Sequence, residues 1–158
     1  MNQPHTVGIG QMAVCHAPEQ IVCLGLGSCV AIILYDPVAR IGGVVHVLLP
    51  KSPIKCDSEE KYADTGTRKL VKEMLNHGAK KERLVAKLVG GAQMFPNLNL
   101  SIADIGRQNS MIIRNILREL MIRIVAEDLG GVRGRSSYFD TSDGHVTIKA
   151  AFEPVKVL

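Results

Sequence analysis

The chain has 158 residues, a length typical of one domain that buries roughly 70% of its unfolded surface. Its 46% apolar and 22% charged residues exclude disorder, collagen-like repeats and coiled coil. No apolar run approaches the ~20 residues needed to cross a bilayer. We therefore expect residues 1–158 to form one domain with no direct membrane insertion.

The net charge is only +4, and it is accompanied by three Tyr, three Phe and no Trp. This composition gives weak support for nucleic acid and fits an acidic protein partner equally well. We expect no nucleic-acid partner. The polar start of the chain lacks the charged and apolar regions of a signal peptide, which favours a cytoplasmic location.

Apolar runs rich in β-branched residues, separated by Gly and Pro, predict short strands near residues 6–15, 20–25, 28–35 and 40–49. We expect these strands to form a meander. Residues 50–61 are polar, contain two prolines and predict a loop.

Helical spacing of apolar residues predicts one helix over 67–75 and a second over 113–121. Residues 84–89 and 122–126 flank the second helix and predict two parallel strands joined by a crossover. Tyr138–Phe139 and His145–Phe152, with Asp143-Gly144 as a turn signal, predict a final hairpin. The predicted sheet is therefore mixed.

The four cysteines are Cys15, Cys23, Cys29 and Cys56. In a reducing cytosol we expect free thiols. His16 lies near three of them, but the paired CxxC spacing of structural zinc sites is absent. We expect neither a metal site nor a cofactor.

The most informative segment is residues 24–30, Leu-Gly-Leu-Gly-Ser-Cys-Val. Gly25, Gly27 and Ser28 permit backbone turns that can expose the Cys29 thiol and direct N–H groups at an oxyanion. This chemistry suits acyl transfer to a nucleophilic cysteine. A tight turn with a buried cysteine is the alternative.

A predicted type I turn at Asp36-Pro37-Val38-Ala39 would pair Asp36 with Ala39. This register places Cys29 directly opposite His46, with Cβ atoms ~5 Å apart. An imidazole at this distance can accept the thiol proton, lower the pKa of the thiol and leave a thiolate at neutral pH. A strand histidine hydrogen-bonded to a carbonyl is the alternative.

Taken together, these residues resemble the CheD family of chemoreceptor glutamine deamidases. The resemblance extends over about residues 7–150. Besides residues 24–30 it includes the following segments: His46 with Leu49-Pro50, Lys61–Asp64, Gly90–Ala92 with Met94-Phe95, Ile105-Gly106 with Asn109, Ala126–Asp128 with Gly130-Gly131, and Gly134-Arg135.

The resemblance implies an α+β fold, a mixed β-sheet sandwich with outer helices like that of toxin-type cysteine deamidases. It implies a hydrolase that converts receptor glutamines to glutamates through a cysteine thioester, and that binds the phosphatase CheC. Cys29 would be the nucleophile and His46 the general base and acid, with Gly27 and Ser28 in the oxyanion turn. The family's third position is usually threonine, but Cys23 stands there, and a thiol orients an imidazole less firmly than a hydroxyl does.

Two other functions stay open from the sequence. One is a regulatory binding module of the chemotaxis pathway that has weak or no catalysis, as the Cys23 replacement suggests. The other is a cysteine hydrolase that acts on a different amide.

Overall fold

A computed structural model describes residues 3–95 and 104–158. In chain order the elements are β1 (His5–Thr6), β2 (Met12–His16), β3 (Gln20–Leu26), β4 (Val30–Asp36), β5 (Ile41–Val47), α1 (Ala63–Asn76), β6 (Val85–Gly90), α2 (Ile105–Glu119), β7 (Arg123–Leu129), β8 (Arg135–Asp140), β9 (Val146–Lys149) and β10 (Lys156–Val157). Single 3₁₀ turns occupy Glu59–Lys61 and Lys81–Arg83.

The strands form two five-stranded sheets. Sheet 1 has the order β1-β3-β8-β9-β10, and sheet 2 has the order β2-β5-β4-β6-β7. Each sheet contains one parallel pair, β1·β3 and β6·β7, among antiparallel neighbours. The predicted mixed α+β sandwich is confirmed.

Alternation along β4 determines which layers pack together, because successive side chains point to opposite faces of a sheet. Ala31 and Ile33 face sheet 1 and pack in a core that includes Phe139. Ile32 and Leu34 face the other way and pack against the apolar faces of α1 and α2. The order of layers is therefore sheet 1, sheet 2, helices. Neither helix is long and apolar enough to cross a membrane, as judged over the described residues.

Several local predictions are confirmed. Strands β6 and β7 pair in parallel on either side of α2, and β8 and β9 form the final hairpin. The predicted meander is wrong, because β3 lies in sheet 1 while β2, β4 and β5 lie in sheet 2. Helix α2 begins at Ile105, earlier than its apolar spacing suggested.

The predicted register of the β4–β5 hairpin is also wrong. Asp36 pairs with Ile41 instead of Ala39, so the connection has four residues, and Ala31 pairs with His46. The extra length is accommodated at Arg40, which has φ of 55° and donates its N–H to the Asp36 carbonyl over 2.8 Å. The register differs by two residues, and an even shift leaves every side chain on its predicted face.

The fully buried Asp36 carboxylate holds this connection in place. It accepts hydrogen bonds from the N–H groups of Val38, Ala39 and Lys80, and Arg83 adds an ion pair of 2.8 Å. Burial raises the pKa of Asp36, but these donors outweigh burial and lower the pKa to about 2. The charged form therefore stabilises the fold.

We predict that Asp36→Asn removes a pH-dependent contribution to stability. Because the folded pKa lies below the ordinary value of 3.8, the contribution of about 2 kcal/mol is complete above that value and is lost as pH falls towards about 2. Urea denaturation of both proteins across this range should show their stability difference shrinking with acid. A difference that is independent of pH would contradict the role of Asp36.

Candidate active site

Cys29 lies in the short connection between β3 and β4, where the chain passes from sheet 1 to sheet 2. Its side chain points into the core between the sheets and is 6% exposed. Of the two alternatives left open by the sequence, an exposed thiol and a tight turn with a buried cysteine, the structure has the buried cysteine. Cys23, Cys29 and the other cysteines are free thiols.

The main chain of Cys29 is held by the end of β6. Its carbonyl accepts a hydrogen bond of 2.8 Å from the N–H of Gly91. Gly90 has φ of 119°, and a Cβ on it would lie 2.2 Å from the same carbonyl oxygen. The structure therefore requires glycine at this position, for close approach to the segment that carries the thiol.

His46 lies on β5 with its ring in the same core, and it is 2% exposed. Its Nδ1 lies 3.2 Å from the carbonyl oxygen of Val7. A carbonyl only accepts hydrogen bonds, so Nδ1 carries the proton of the neutral ring and Nε2 carries the lone pair. Within the described residues, Nε2 is buried and has no hydrogen-bond partner.

Cys29 and His46 are diagonal neighbours, not direct partners as predicted. The register pairs His46 with Ala31, and Cys29 precedes Ala31 by two residues on the same face. Diagonal positions in an antiparallel pair lie ~7–8 Å apart, within reach of a long or aromatic side chain. No hydrogen bond joins the two side chains in the part of the chain that the structure describes.

Burial sets the protonation of both groups. Burial raises the pKa of the Cys29 thiol, and a hydrogen bond from the residue's own N–H opposes that rise. Burial lowers the pKa of His46, and the Val7 carbonyl opposes that fall. Burial thus favours a neutral thiol and a neutral imidazole in the resting pair, the opposite direction from the expected lowering of the Cys29 pKa.

Cys23 lies on β3 directly across from Ser137 of β8, and it is 1% exposed. Burial raises its pKa to about 12; the Ser137 hydroxyl opposes the rise, and the negative charge of a nearby Cys29 thiolate adds to it. Both cysteines belong to the buried core between the sheets. The hydrogen bond that orients His46 runs from its Nδ1–H to the Val7 carbonyl and does not involve Cys23.

In the turn before Cys29, the carbonyls of Gly27 and Ser28 accept hydrogen bonds from other residues, and the N–H of Cys29 donates to its own thiol. The Gly27 carbonyl accepts from the N–H of Ala92 over 2.9 Å, and the Ser28 carbonyl accepts from Asn109. Among the described residues, the N–H groups of Ser28 and Cys29 donate to no other residue's backbone. This arrangement can stabilise an oxyanion next to the thiol.

From the sequence we expect no metal site at the cluster of Cys15, His16, Cys23 and Cys29. In the described part of the structure, a different group of candidate ligands lies close together. Over the described ranges, the group with ligand atoms within 4.8 Å of one another is His5, Cys15 and Glu19. The His5 ring already pairs with the Glu19 carboxylate at 2.6 Å. This group does not include Cys29 or His46.

Sequence reasoning assigned no role to two residues at this site, Val7 and Asn109. Val7 contributes only its carbonyl, which no side-chain pattern reveals. Asn109 could have been found from the sequence, because it shares the helical spacing of the apolar residues Ile113, Ile116 and Leu117. It is buried with them in the structure. A polar residue in an apolar stripe indicates a specific hydrogen-bonding task.

Comparison with known proteins shows which proteins this chain is similar to. A family model described as CheD chemotactic sensory transduction matches residues 48–150. The chemoreceptor glutamine deamidase CheD of Thermotoga maritima is 44% identical over 90% of this chain and 89% of its own. Probable chemoreceptor glutamine deamidases of Desulforamulus reducens and Pyrococcus horikoshii are 44% and 46% identical, covering 96% and 93% of this chain and 93% and 92% of their own.

A solved structure, the hypothetical protein YfiH of Bacillus licheniformis, matches the fold with a TM-score of 0.50 at 14% identity. The match covers 79% of this chain and 58% of that one. This likeness concerns the sandwich architecture alone. Because the CheD model matches more than half of the chain and the relatives match nearly all of it, the chain belongs to the CheD family.

Proposed function

We propose that this protein deamidates glutamine side chains of chemoreceptors, with Cys29 as nucleophile and His46 as general base and acid. Membership of the CheD family supports the activity. The observation that carries the assignment is the His46 ring. The Val7 carbonyl fixes its tautomer, and its buried Nε2 lone pair has no partner among the described residues, in the core that contains Cys29.

In the first half of the reaction, His46 Nε2 takes the thiol proton as Cys29 Sγ attacks the carboxamide carbon. The N–H groups of Ser28 and Cys29 stabilise the oxyanion that forms. The imidazolium then gives its proton to the departing nitrogen. The C–N bond breaks, ammonia leaves and a thioester remains on Cys29.

In the second half, His46 takes a proton from water as the water attacks the thioester carbon. The C–S bond then breaks, the thiolate recovers the proton and the product is glutamate on the receptor. Gly27 contributes through the turn that aims the N–H groups, and the steps use neither a metal nor an organic cofactor.

The burial of Cys29 favours glutamine as the substrate side chain. A thiol that is 6% exposed is reached most easily by a slender, unbranched chain with its amide at the tip. Glutamine places two methylene groups between its backbone and the carboxamide, so the receptor helix can stay at the surface while the amide enters the core.

We also propose that the phosphatase CheC binds this protein, that residues 1–158 act as one deamidase domain, and that the protein works in the cytoplasm. The family resemblance supports all three. A receptor helix and CheC would both need access to the Cys29 entrance, because that entrance leads to the nucleophile.

A regulatory binding module without catalysis is the second candidate. The burial of Cys29 and the raised pKa of its thiol favour it. Measuring glutamate and ammonia formation from a receptor fragment distinguishes the receptor deamidase from this candidate and from a hydrolase of another amide.

The deciding experiment incubates a purified cytoplasmic fragment of a chemoreceptor with the protein. Mass spectrometry should locate glutamines converted to glutamate, and an equal amount of ammonia should appear. Cys29→Ala should abolish both signals, because it removes the nucleophile. If the folded wild-type protein releases no ammonia while still binding the fragment, the binding module replaces the deamidase.

CheC enters as a further arm of this assay. If the two partners share the Cys29 entrance, added CheC should slow deamidation in proportion to its occupancy. The Cys29→Ala variant should retain CheC binding, since the thiol forms little of the surface. Unchanged deamidation at saturating CheC would contradict a shared entrance.

We predict a characteristic pH dependence for alkylation of Cys29 by iodoacetamide. The rate should rise with pH beyond the ordinary thiol pKa of 9.0, because burial raises the pKa of Cys29. Assistance by His46 should persist below its ordinary pKa of 6.5, since burial lowers the pKa of the ring. His46→Ala should slow alkylation at neutral pH by about 10-fold or more; equal rates would remove the base from the mechanism.

Cys23→Thr should leave folding intact and hold or raise the rate of deamidation. Threonine is close to cysteine in size, and Ser137 across the strand pair offers its hydroxyl a hydrogen-bond partner. Thermal denaturation and the deamidation assay measure both properties. A clear loss of activity in the folded variant would show that the Cys23 thiol has its own role.

A further inference from the structure

Asn109 of α2 contacts both segments that carry the proposed catalytic pair. Its Nδ2 donates to the carbonyl of Ser28 over 3.2 Å and to the carbonyl of Leu48 over 3.1 Å. Ser28 immediately precedes Cys29, and Leu48 follows His46 by two residues. One fully buried amide group thus connects the nucleophile segment to the end of the strand that carries the base.

The two contacts lie where the β-ladder stops. The last paired residues of β4 and β5 are Val30 and Val47. Beyond this pair, no ladder hydrogen bond holds the two segments together, yet Cys29 lies on this unpaired side. The two hydrogen atoms of the Asn109 amide satisfy one carbonyl from each segment. These two hydrogen bonds from α2 take the place of the next hydrogen bonds between the two strands.

The helix that supplies this bridge is itself tightly seated. A Cβ on Gly106 would lie 2.6 Å from the carbonyl oxygen of Gly91, so the first turn of α2 packs directly on Gly91. Gly91 in turn donates its N–H to the Cys29 carbonyl. The first turns of α2 therefore hold the Cys29 segment through two routes, the amide of Asn109 and the main chain of Gly91.

The other end of the Asn109 amide argues against a purely stabilising role. Within the described residues, its Oδ1 is buried and has no hydrogen-bond partner. A buried acceptor without a partner lowers the stability of the fold. The two hydrogen bonds donated by Nδ2 therefore form at a cost in folding stability. Both bind segments that carry the proposed catalytic pair.

We infer that Asn109 is a positioning residue, which fixes the separation between Cys29 Sγ and His46 Nε2 by holding the Ser28 and Leu48 carbonyls at one distance. This inference rests on the proposed function. Asn109 acts through the main chain and does not touch the substrate. Its loss should therefore lower kcat while leaving KM nearly unchanged.

The test compares Asn109→Ala with Ser110→Ala, a matched control on the same helix. The Ser110 hydroxyl is also buried and packs beside Gly91, but it donates to the Gly106 carbonyl within α2 and, among the described residues, forms no hydrogen bond with Ser28 or Leu48. Asn109→Ser is the second variant, because its short hydroxyl retains a polar group in the core. Deamidation gives kcat and KM, and mass spectrometry gives the alkylation rate at Cys29 across pH.

Asn109→Ala should lower kcat by about 10-fold or more, since small displacements of reacting groups carry large rate penalties, and should change KM by less than about 2-fold. Its alkylation at Cys29 should be slow at neutral pH and converge with the wild type in alkali, where the thiolate forms without a base. The kcat of Asn109→Ser should lie between those of Asn109→Ala and the wild type, and Ser110→Ala should retain the wild-type kcat.

Several results would overturn the inference: an unchanged kcat in folded Asn109→Ala, an equal loss in Ser110→Ala, or faster alkylation at every pH, which would indicate only an opened core. If Asn109→Ala does not fold, Asn109→Ser is judged by the same criteria. The His46→Ala variant distinguishes a failure of the proposed catalytic pair from a failure of the role inferred for Asn109. If it alkylates like the wild type, the proposed catalytic pair fails; if it slows and the Asn109 variants do not, only the present inference fails.

Discussion

The hydrogen bond between His46 and the Val7 carbonyl determines which nitrogen of the ring can accept a proton. Val7 follows β1, and its N–H donates to the Val22 carbonyl of β3 in sheet 1. His46 belongs to β5 in sheet 2. The tautomer of His46 therefore depends on correct stacking of the two sheets. A chain that formed each sheet separately would not yet have the base that we propose.

The same stacking buries both groups of the proposed pair. Burial disfavours the charged forms of Cys29 and His46, because removing a charge from water costs free energy. Under the proposed mechanism, the proton therefore leaves the thiol only as the sulfur attacks, when the negative charge passes to the oxyanion beside the N–H groups of the turn. A preformed thiolate would react with any small electrophile, whereas a buried neutral thiol is protected from such reactions.

The family resemblance implied the sandwich, and side-chain alternation placed Cys29 and His46 on one face, but neither predicted the contacts made by main-chain atoms. The even register error in the β4–β5 hairpin kept Cys29 and His46 on one face, because side-chain direction repeats every two residues. The loop length depended on Arg40 adopting positive φ, which turn statistics disfavour for arginine. Sheet membership of β3 and the carbonyl of Val7 depend on long-range packing, which local apolar patterns do not encode.

Gly90 also constrains how this chain can diverge. A side chain there would meet the Cys29 carbonyl at 2.2 Å, and the atom it meets is backbone that Gly91 and β4 already hold. Any substitution must therefore move the segment that carries Cys29. Replacing this glycine would shift the main chain at the thiol, however well the rest of the core packed.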